Sequence, residues 1–167
     1  MSARFALVPL IALVALAFTV AQDATQTPVD AKIDGYLAAY ARGDFDGLAR
    51  SLAPEACFED GDIEHVGRDA MLTGLRATFT GVTIDELALT ERIHGGSGHV
   101  LCSGRVVFRM DGAALGYDGK EFRFDMPMAI ALKFDGEGRI VRHVDYVDTP
   151  TFRELLQAQL AALAEDG

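Results

Sequence analysis

The stretch EFRFDMPMAIALKF, residues 121–134, has a large apolar side chain at every second position. Alternate residues of a β-strand point to the same side, so this spacing predicts a long strand with one apolar face. That face consists of Phe122, Phe124, Met126, Met128, Ile130, Leu132 and Phe134. It is either packed core or, where the sheet curves away from its helices, the wall of a pocket.

The rest of the chain divides into a helical first part and a strand-rich second part. Apolar residues at helical spacing predict helices at about residues 29–40, 45–52, 69–79 and 152–163. Alternation bounded by glycine-rich turns predicts short strands at 56–60 and 63–66 and long strands at about 82–93, 99–110, 121–134 and 139–147. This order predicts one α+β domain with helices packed on a curved antiparallel sheet.

Length and charge limit the function classes. A chain of 167 residues is long enough for one domain with a substantial core. The formal net charge of −10 and the absence of a basic stripe argue against nucleic-acid binding through phosphates. The sequence contains no phosphate-binding loop, dinucleotide fingerprint or nucleophile-elbow motif. The histidines lack metal-ligand spacing, so we expect no metal and no cofactor.

The first 21 residues have the pattern of a secretory signal peptide. Arg4 precedes an apolar run from Phe5 to Val20, and small residues follow before the polar Gln22. The run is short for a membrane-spanning helix, although an uncleaved anchor is the alternative. We therefore predict a signal peptide at 1–21, a polar linker at 22–28 and the domain at 29–167. The mature protein is then periplasmic or secreted, with no stable membrane span.

Two cysteines, Cys57 and Cys102, are present in this predicted exported chain. An oxidising compartment permits a disulfide, but sequence spacing does not reveal whether the two residues come within bonding distance. Two separate buried thiols are the alternative. Both possibilities stay open at this stage.

Alternation also groups the polar residues that could carry chemistry. His143 and Asp145 share one face of the last strand, Arg105 and Val107 share one face of an earlier strand, and Phe58 and Asp60 share another. An arginine and an aspartate among apolar residues are costly to bury singly. We therefore predict that Arg105 pairs with Asp145, either as part of a site or as an ion pair that fixes strand register. An exposed sheet face is the alternative.

Several motifs resemble a known fold family. YLAAYARGD at 36–44, followed by ACFED at 56–60 and GRDA at 67–70, resembles the opening of the cone-shaped fold shared by nuclear transport factor 2, ketosteroid isomerase and the SnoaL-like polyketide cyclases. VDYVD at 144–148, followed by FRE at 152–154, is similar to the end of limonene-1,2-epoxide hydrolase. The resemblance covers nearly all of the chain after residue 28 and implies the same cone-shaped α+β fold.

The epoxide hydrolase comparison implies half of a catalytic set. That family uses an Asp-Arg-Asp trio, and the comparison implies that Asp145 activates water and that Arg105 bridges the two acids. Val107 occupies the position of the acid that protonates the epoxide, and valine has no proton to donate. The family's tyrosine and asparagine, which help to hold water, fall on Phe58 and Asp60.

The ketosteroid isomerase comparison likewise implies only half of that family's catalytic residues. Tyr36 falls on the oxyanion-hole tyrosine and Asp60 on the catalytic base, while Ile130 occupies the region of the second oxyanion donor. Combining both comparisons, we expect Asp145 as base, Arg105 as its orienting partner, and Asp60 and Tyr36 as proton donors. The expected ligand contacts are Tyr40, Phe58, Val107, Met126, Met128 and His143.

The sequence therefore predicts an apolar pocket for a small hydrophobic molecule. One hypothesis is cofactor-independent acid–base catalysis, of the epoxide hydrolase or the isomerase/cyclase type. The alternative is a periplasmic protein that binds a hydrophobic ligand without turnover. A homodimer formed through the outer sheet face is compatible with either, since the resembling families commonly pair through the sheet.

Overall fold

The computed structural model describes residues 28–60 and 63–165, without the side chain of Asp60. The predicted signal peptide and residues 22–27 of the predicted linker lie outside this range. The helices are α1 (Pro28–Ala41), α2 (Phe45–Ser51), α3 (Arg68–Thr78) and α4 (Thr149–Glu165). The strands are β1 (Leu52–Asp60), β2 (Ile63–Val66), β3 (Val82–His94), β4 (His99–Asp111), β5 (Glu121–Phe134) and β6 (Ile140–Val147). None of these helices is long and apolar enough to cross a membrane.

The six described strands form one mixed sheet in the order β2-β1-β6-β5-β4-β3. Strand β1 runs parallel to β6, and Phe58 pairs with His143 while Asp60 pairs with Asp145. All other neighbouring strands are antiparallel. The predicted α+β fold with a curved antiparallel sheet is confirmed for these four pairs, and the one parallel pair, β1 with β6, was not predicted. The reason is that alternation identifies a strand without naming its partner, and no turn specifies a pairing between such distant segments.

The inner face of the sheet forms the core together with the helices. The even-numbered residues of β5 from Phe122 to Phe134 are all buried, whereas the odd-numbered residues are exposed or half-buried. The apolar face predicted for residues 121–134 is confirmed, and it serves both predicted purposes. Most of it packs in the core, and Met128 also lines a cavity.

Helix α1 packs one face against this core. Ile33, Tyr36, Leu37 and Tyr40 are buried, at the spacing that places side chains on one side of a helix. The chain then turns at Gly43, whose φ of 61° suits glycine far better than other residues. The next residue, Asp44, accepts a hydrogen bond from the Gly47 N–H at 2.8 Å and so caps α2.

The outer face of β3, β4 and β5 carries ion pairs. Arg105 Nε lies 2.6 Å from Asp125 Oδ1, and its Nη2 lies 3.4 Å from Glu86 Oε2. Arg109, four residues further along β4, makes the same kind of contact with Asp85 and Glu121. Val107 lies between them in the same row. The face that contains Arg105 is thus the solvent side of the sheet.

Helix α4 covers a free edge of β5. Strand β6 pairs with β5 only from Met128 to Phe134, which leaves the first half of β5 without a neighbour on that side. The Gln159 side chain accepts the Arg123 N–H at 2.9 Å and donates to the Arg123 carbonyl at 2.9 Å. Phe152 also stacks on Phe124, with ring centroids 4.6 Å apart. These contacts hold α4 along this edge, with Phe152 over the inner face.

The two cysteines are free thiols. Cys57 lies in β1 and Cys102 in β4, and β6 and β5 separate those strands. Three strand spacings amount to roughly 14 Å across a sheet. Disulfide-bonded residues have Cα atoms less than about 7 Å apart, so the fold keeps these two thiols out of bonding distance.

Candidate active site

A cavity of about 400 Å³ opens at one end of the inner sheet face, between the end of α3 and the beginning of α4. Its walls are largely apolar: Phe79, Val82, Ile84, Val106, Phe108, Met110, Met128, Val147 and Phe152. Its polar lining residues are Tyr40, Thr78, Asp145 and Thr149. A concave apolar site with a few converging polar groups is typical of small-molecule binding sites.

A larger depression, of about 610 Å³, lies across the outer face of the sheet. Its titratable side chains, Glu91, Tyr146 and Asp148, are all exposed. Exposed groups keep their hydration and lack the low-dielectric surroundings that make a side chain chemically distinctive. The inner cavity, which contains the buried Asp145, is therefore the better candidate.

The polar groups of the inner cavity come from one helix and one strand. Tyr36 and Tyr40 are four residues apart on α1, and His143 and Asp145 are two residues apart on β6. Four residues of helix rise about 6 Å and two residues of strand about 6.6 Å. The two spacings therefore match, and each tyrosine lies opposite one polar residue of β6.

These four side chains form a continuous hydrogen-bonded chain. The Tyr36 hydroxyl lies 2.6 Å from His143 Nδ1, and His143 Nε2 lies 2.6 Å from Asp145 Oδ1. The Tyr40 hydroxyl donates to Asp145 Oδ2 at 2.7 Å. Tyr36 and His143 are fully buried, and the Asp145 side chain is only 5% exposed. Only Tyr40 and Asp145 reach the cavity.

The proton positions follow from counting donors and acceptors. Asp145 as a carboxylate accepts two hydrogen bonds, one from Tyr40 and one from Nε2–H of His143. The hydroxyl proton of Tyr36 then needs an acceptor, which is the bare Nδ1 of His143. This arrangement satisfies every member, and in the described residues no buried side-chain nitrogen or oxygen lacks a partner. His143 is thus a neutral imidazole.

Electrostatics support this assignment at Tyr36. Burial raises the pKa of the Tyr36 phenol well above its ordinary value, and the charge of Asp145 raises it further. Tyr36 therefore remains a protonated donor, because ionising it would place a second negative charge in the same desolvated cluster.

Aromatic packing fixes the imidazole from its remaining sides. The His143 ring has its centroid 5.3 Å from that of Phe58 and 5.6 Å from that of Tyr36, and both contacts are edge-to-face. The Tyr40 ring lies 5.3 Å away and is tilted. His143 cannot turn without displacing buried rings, so its Nε2 stays directed at Asp145.

Arg105 is far from the cavity, and the predicted Arg105–Asp145 pair is wrong. Arg105 lies on the outer face with Asp125 and Glu86, whereas Asp145 faces inward with His143 and Tyr40. Arg105 and Val107 do share one face of β4, as predicted, but that face is the outer side of the sheet and not the inner side. The side chains that β4 directs at the cavity are Val106, Phe108 and Met110.

The other predicted residues separate into three groups. Tyr40 and Met128 line the cavity as expected. Tyr36, Phe58 and His143 lie behind Asp145, and Met126 is buried in the core, so none of the four lines the cavity. Val107 is buried on the outer side of β4 and is also outside the cavity. The Asp60 side chain is not described, although its backbone pairs with Asp145.

The sequence reasoning missed the aromatic walls and the role of His143. Phe79, Phe108 and Phe152 come from three different elements, so no single periodic stretch brings them together. The hydrogen-bonded chain did leave a signal, namely two tyrosines at helical spacing and His-Val-Asp on a strand. Tyr36 faces His143 instead of the cavity, and this corrects the expectation that it donates a proton to the ligand.

The potential metal-ligand cluster found among the described residues lies outside the cavity. Among the described residues, Cys57, Glu59 and Glu64 have ligand atoms within 4.8 Å of one another. Arg142 Nη2 already lies 2.5 Å from Glu59 Oε1 and provides the positive charge there. Burial and the charge of Glu59 also raise the pKa of the Cys57 thiol, which disfavours the thiolate that a metal requires.

Comparisons with known proteins agree with the fold described above. A putative SnoaL-like polyketide cyclase from Shewanella denitrificans OS-217 has 25% sequence identity and a TM-score of 0.70, over 79% of this chain and 99% of that one. An LEH-like epoxide hydrolase from M. tuberculosis has 21% identity and a TM-score of 0.61, over 83% and 96% of the two chains. The epoxide hydrolase/cyclase-like enzyme SalBIII, involved in pyran ring formation in salinomycin, has 18% identity and a TM-score of 0.59, over 74% and 92%.

No curated protein matches the chain significantly in sequence. The family model described as a SnoaL-like domain matches residues 33–143, a range that contains most of α1, strands β1 to β5 and His143 of the buried cluster. The chain belongs to the SnoaL-like domain family and has the α+β fold of the nuclear transport factor 2-like superfamily.

Proposed function

We propose that the inner cavity binds a small, largely apolar molecule and that Asp145 acts on it as a general base. The reaction is cofactor-independent and of the isomerase or cyclase type, in which a proton is taken from carbon next to a carbonyl group. One observation carries the proposal: the one carboxylate in the described lining of this largely apolar cavity is buried and is held by His143 and Tyr40.

Asp145 is suited to this role because its two neighbours hold it without neutralising it. His143 and Tyr40 each donate one hydrogen bond, and a carboxylate has about four acceptor positions in total. Lone pairs therefore remain for a substrate proton.

Epoxide hydrolysis by the Asp-Arg-Asp arrangement has less support. It needs a second acid beside the base and an arginine between them. Arg105 is on the other side of the sheet, and Asp145 is the only carboxylate among the described residues that line the cavity. The acid for an epoxide oxygen would have to be the phenol of Tyr40, which already donates to Asp145.

Binding without turnover is a second candidate, and the scarcity of hydrogen-bond donors favours it. A base that forms an enolate works best with donors directed at the developing oxyanion. Tyr40, Thr78 and Thr149 are the side chains in the described lining that could donate, and Tyr40 is engaged with Asp145. A protein that only holds its ligand has no need of such donors.

Export and self-association remain further proposals. The apolar run from Phe5 to Val20 after Arg4 supports secretion to the periplasm or the medium. The resemblance to families that commonly pair through the sheet supports a homodimer formed through the outer sheet face. Cell fractionation tests the first proposal, and light scattering on the purified mature protein tests the second.

Proton exchange measures the proposed chemistry without knowledge of the product. The purified protein is incubated in D₂O with a panel of apolar cyclic ketones and β-ketoesters, and loss of the α-proton signal is followed by NMR. We expect exchange that falls at least 100-fold in Asp145→Asn, in line with the usual contribution of a general base. Asp125→Asn is the matched control, since it removes a carboxylate from the outer face.

Two results decide between the candidates. Equal exchange by the wild type and Asp145→Asn contradicts the assignment of the base. A wild type that binds panel members but exchanges none of them faster than the buffer does supports binding without turnover.

A further inference from the structure

The charge balance of the cavity is one-sided. Of the side chains lining it in the described chain, Asp145 and Tyr40 are the only titratable ones, and no lysine, arginine or histidine is among them. The nearest basic group to Asp145 in its hydrogen-bonded chain is His143. The net charge at the cavity surface therefore depends on whether His143 is protonated.

The hydrogen bonds of Tyr36 answer that question. Tyr36 is fully buried, and its hydroxyl lies 2.6 Å from His143 Nδ1. A protonated His143 would direct an N–H at this hydroxyl and deprive the phenol proton of its acceptor, which is costly for a buried group. The neutral imidazole satisfies both groups. Asp145 then carries one uncompensated negative charge at the cavity surface.

The walls around this charge are aromatic on two sides. Phe108 and Phe152 line the cavity, and each stacks on the buried Phe124, with centroid distances of 4.9 Å and 4.6 Å. Tyr40 and Phe79 form an edge-to-face pair at 5.1 Å. Aromatic rings attract cations through their faces, and aromatic surroundings are a recurring means of binding ammonium groups in proteins.

We propose that the preferred ligands of this cavity are hydrophobic molecules carrying one positive charge, such as tertiary amines in their protonated form or quaternary ammonium compounds. The cationic centre lies near Asp145, and the apolar part lies against Met110, Met128 and the phenylalanines. Anionic ligands are disfavoured because the described lining of the cavity contains no basic side chain. This inference rests on the proposed function only for the location of the site, since binding needs no turnover.

A pair of isosteric compounds isolates the effect of charge. The probes are 3-hydroxyphenyltrimethylammonium and 3-tert-butylphenol, which have the same shape and differ by a positive nitrogen in place of a carbon. Isothermal titration calorimetry with the wild type should give at least tenfold tighter binding of the cation. An equal or tighter affinity for the neutral compound overturns the proposal, as does failure of the wild type to bind either compound.

Three variants locate the effect. Asp145→Asn should abolish the preference for the cation. Phe152→Leu, which leaves the Asp145 network intact, should reduce cation affinity severalfold more than it reduces affinity for the neutral compound. Glu91→Gln removes a negative charge from the outer face and should change neither the affinity for the cation nor the affinity for the neutral compound. A preference that persists in Asp145→Asn overturns the proposal, because it would come from the acidic surface of the protein.

The two proposals fail in different ways. Preferential cation binding without proton exchange on ketones contradicts only the catalytic proposal. Proton exchange that depends on Asp145, with no preference for the cation, contradicts only the ligand class.

Discussion

Tyr36→Phe tests the buried network by removing one oxygen atom and leaving the ring in place. The lost hydroxyl donates to His143 Nδ1, and both residues are fully buried. Water cannot replace the donor without entering the core, so Nδ1 loses its partner. Leaving a buried polar atom unsatisfied costs about 1–3 kcal/mol. The free energy of unfolding should fall by that amount.

Urea unfolding followed by circular dichroism measures this loss at equilibrium. For a domain of this size the same change should lower Tm by roughly 3–10 °C. Tyr117→Phe is the control, because Tyr117 lies in an exposed turn and its side chain is partly in solvent. Surface changes of this kind usually stay within about 0.5 kcal/mol. If Tyr36→Phe costs no more than Tyr117→Phe, the hydroxyl makes no effective bond and the network reasoning is refuted.

Three further predictions concern other parts of the fold. Gly74→Ala in α3 should destabilise the protein by about 1–3 kcal/mol, because the new Cβ would lie 2.4 Å from the His65 ring. Gly35→Ala in α1 meets no atom within 4 Å and should stabilise the protein by up to about 1 kcal/mol. Urea unfolding of both variants tests this, and equal effects on the free energy of unfolding would contradict the packing described. Arg105→Leu should leave ligand binding and proton exchange unchanged, because Arg105 lies on the outer face with Asp125. A loss of proton exchange as large as that in Asp145→Asn would instead support the predicted Arg105–Asp145 ion pair. Hydrogen bonds from the Thr151 N–H and hydroxyl lower the pKa of Asp148, so its contribution to stability is present above the unfolded-state value of about 3.9 and is lost as the pH falls through the lower folded-state value. Asp148→Ala should therefore lose less stability than the wild type between pH 5 and pH 2, and parallel losses in the two proteins would contradict this role.

Local patterns in the sequence predicted the elements of this fold well, because helix and strand periods are written into neighbouring residues. The apolar face of β5 and the shared face of His143 and Asp145 are examples. The sequence could not indicate the partner of β1, since Phe58 pairs with His143, 143 − 58 = 85 residues away, and no local pattern encodes such a separation.

The error at Arg105 has a physical origin in the pattern of β4. One face of β4 does carry Leu101, Ser103, Arg105 and Val107. The apolar Val107 suggested that this face points into the core, whereas the opposite face does so. That other side includes Gly104 and Cys102, which look less like core residues. Arg105 is accommodated outside because Asp125 and Glu86 lie beside it on neighbouring strands. Cross-strand partners of this kind become visible only when the register is known.

The claim common to both proposals is that a neutral His143 holds an ionised Asp145 at the cavity surface. Long-range ¹H–¹⁵N correlation spectra of the histidine rings at pH 7, with His143 assigned through a His143→Gln variant, measure the protonation of each ring nitrogen directly. The account predicts a protonated Nε2 and an unprotonated Nδ1. Protonation of both nitrogens, or of Nδ1 alone, would contradict it.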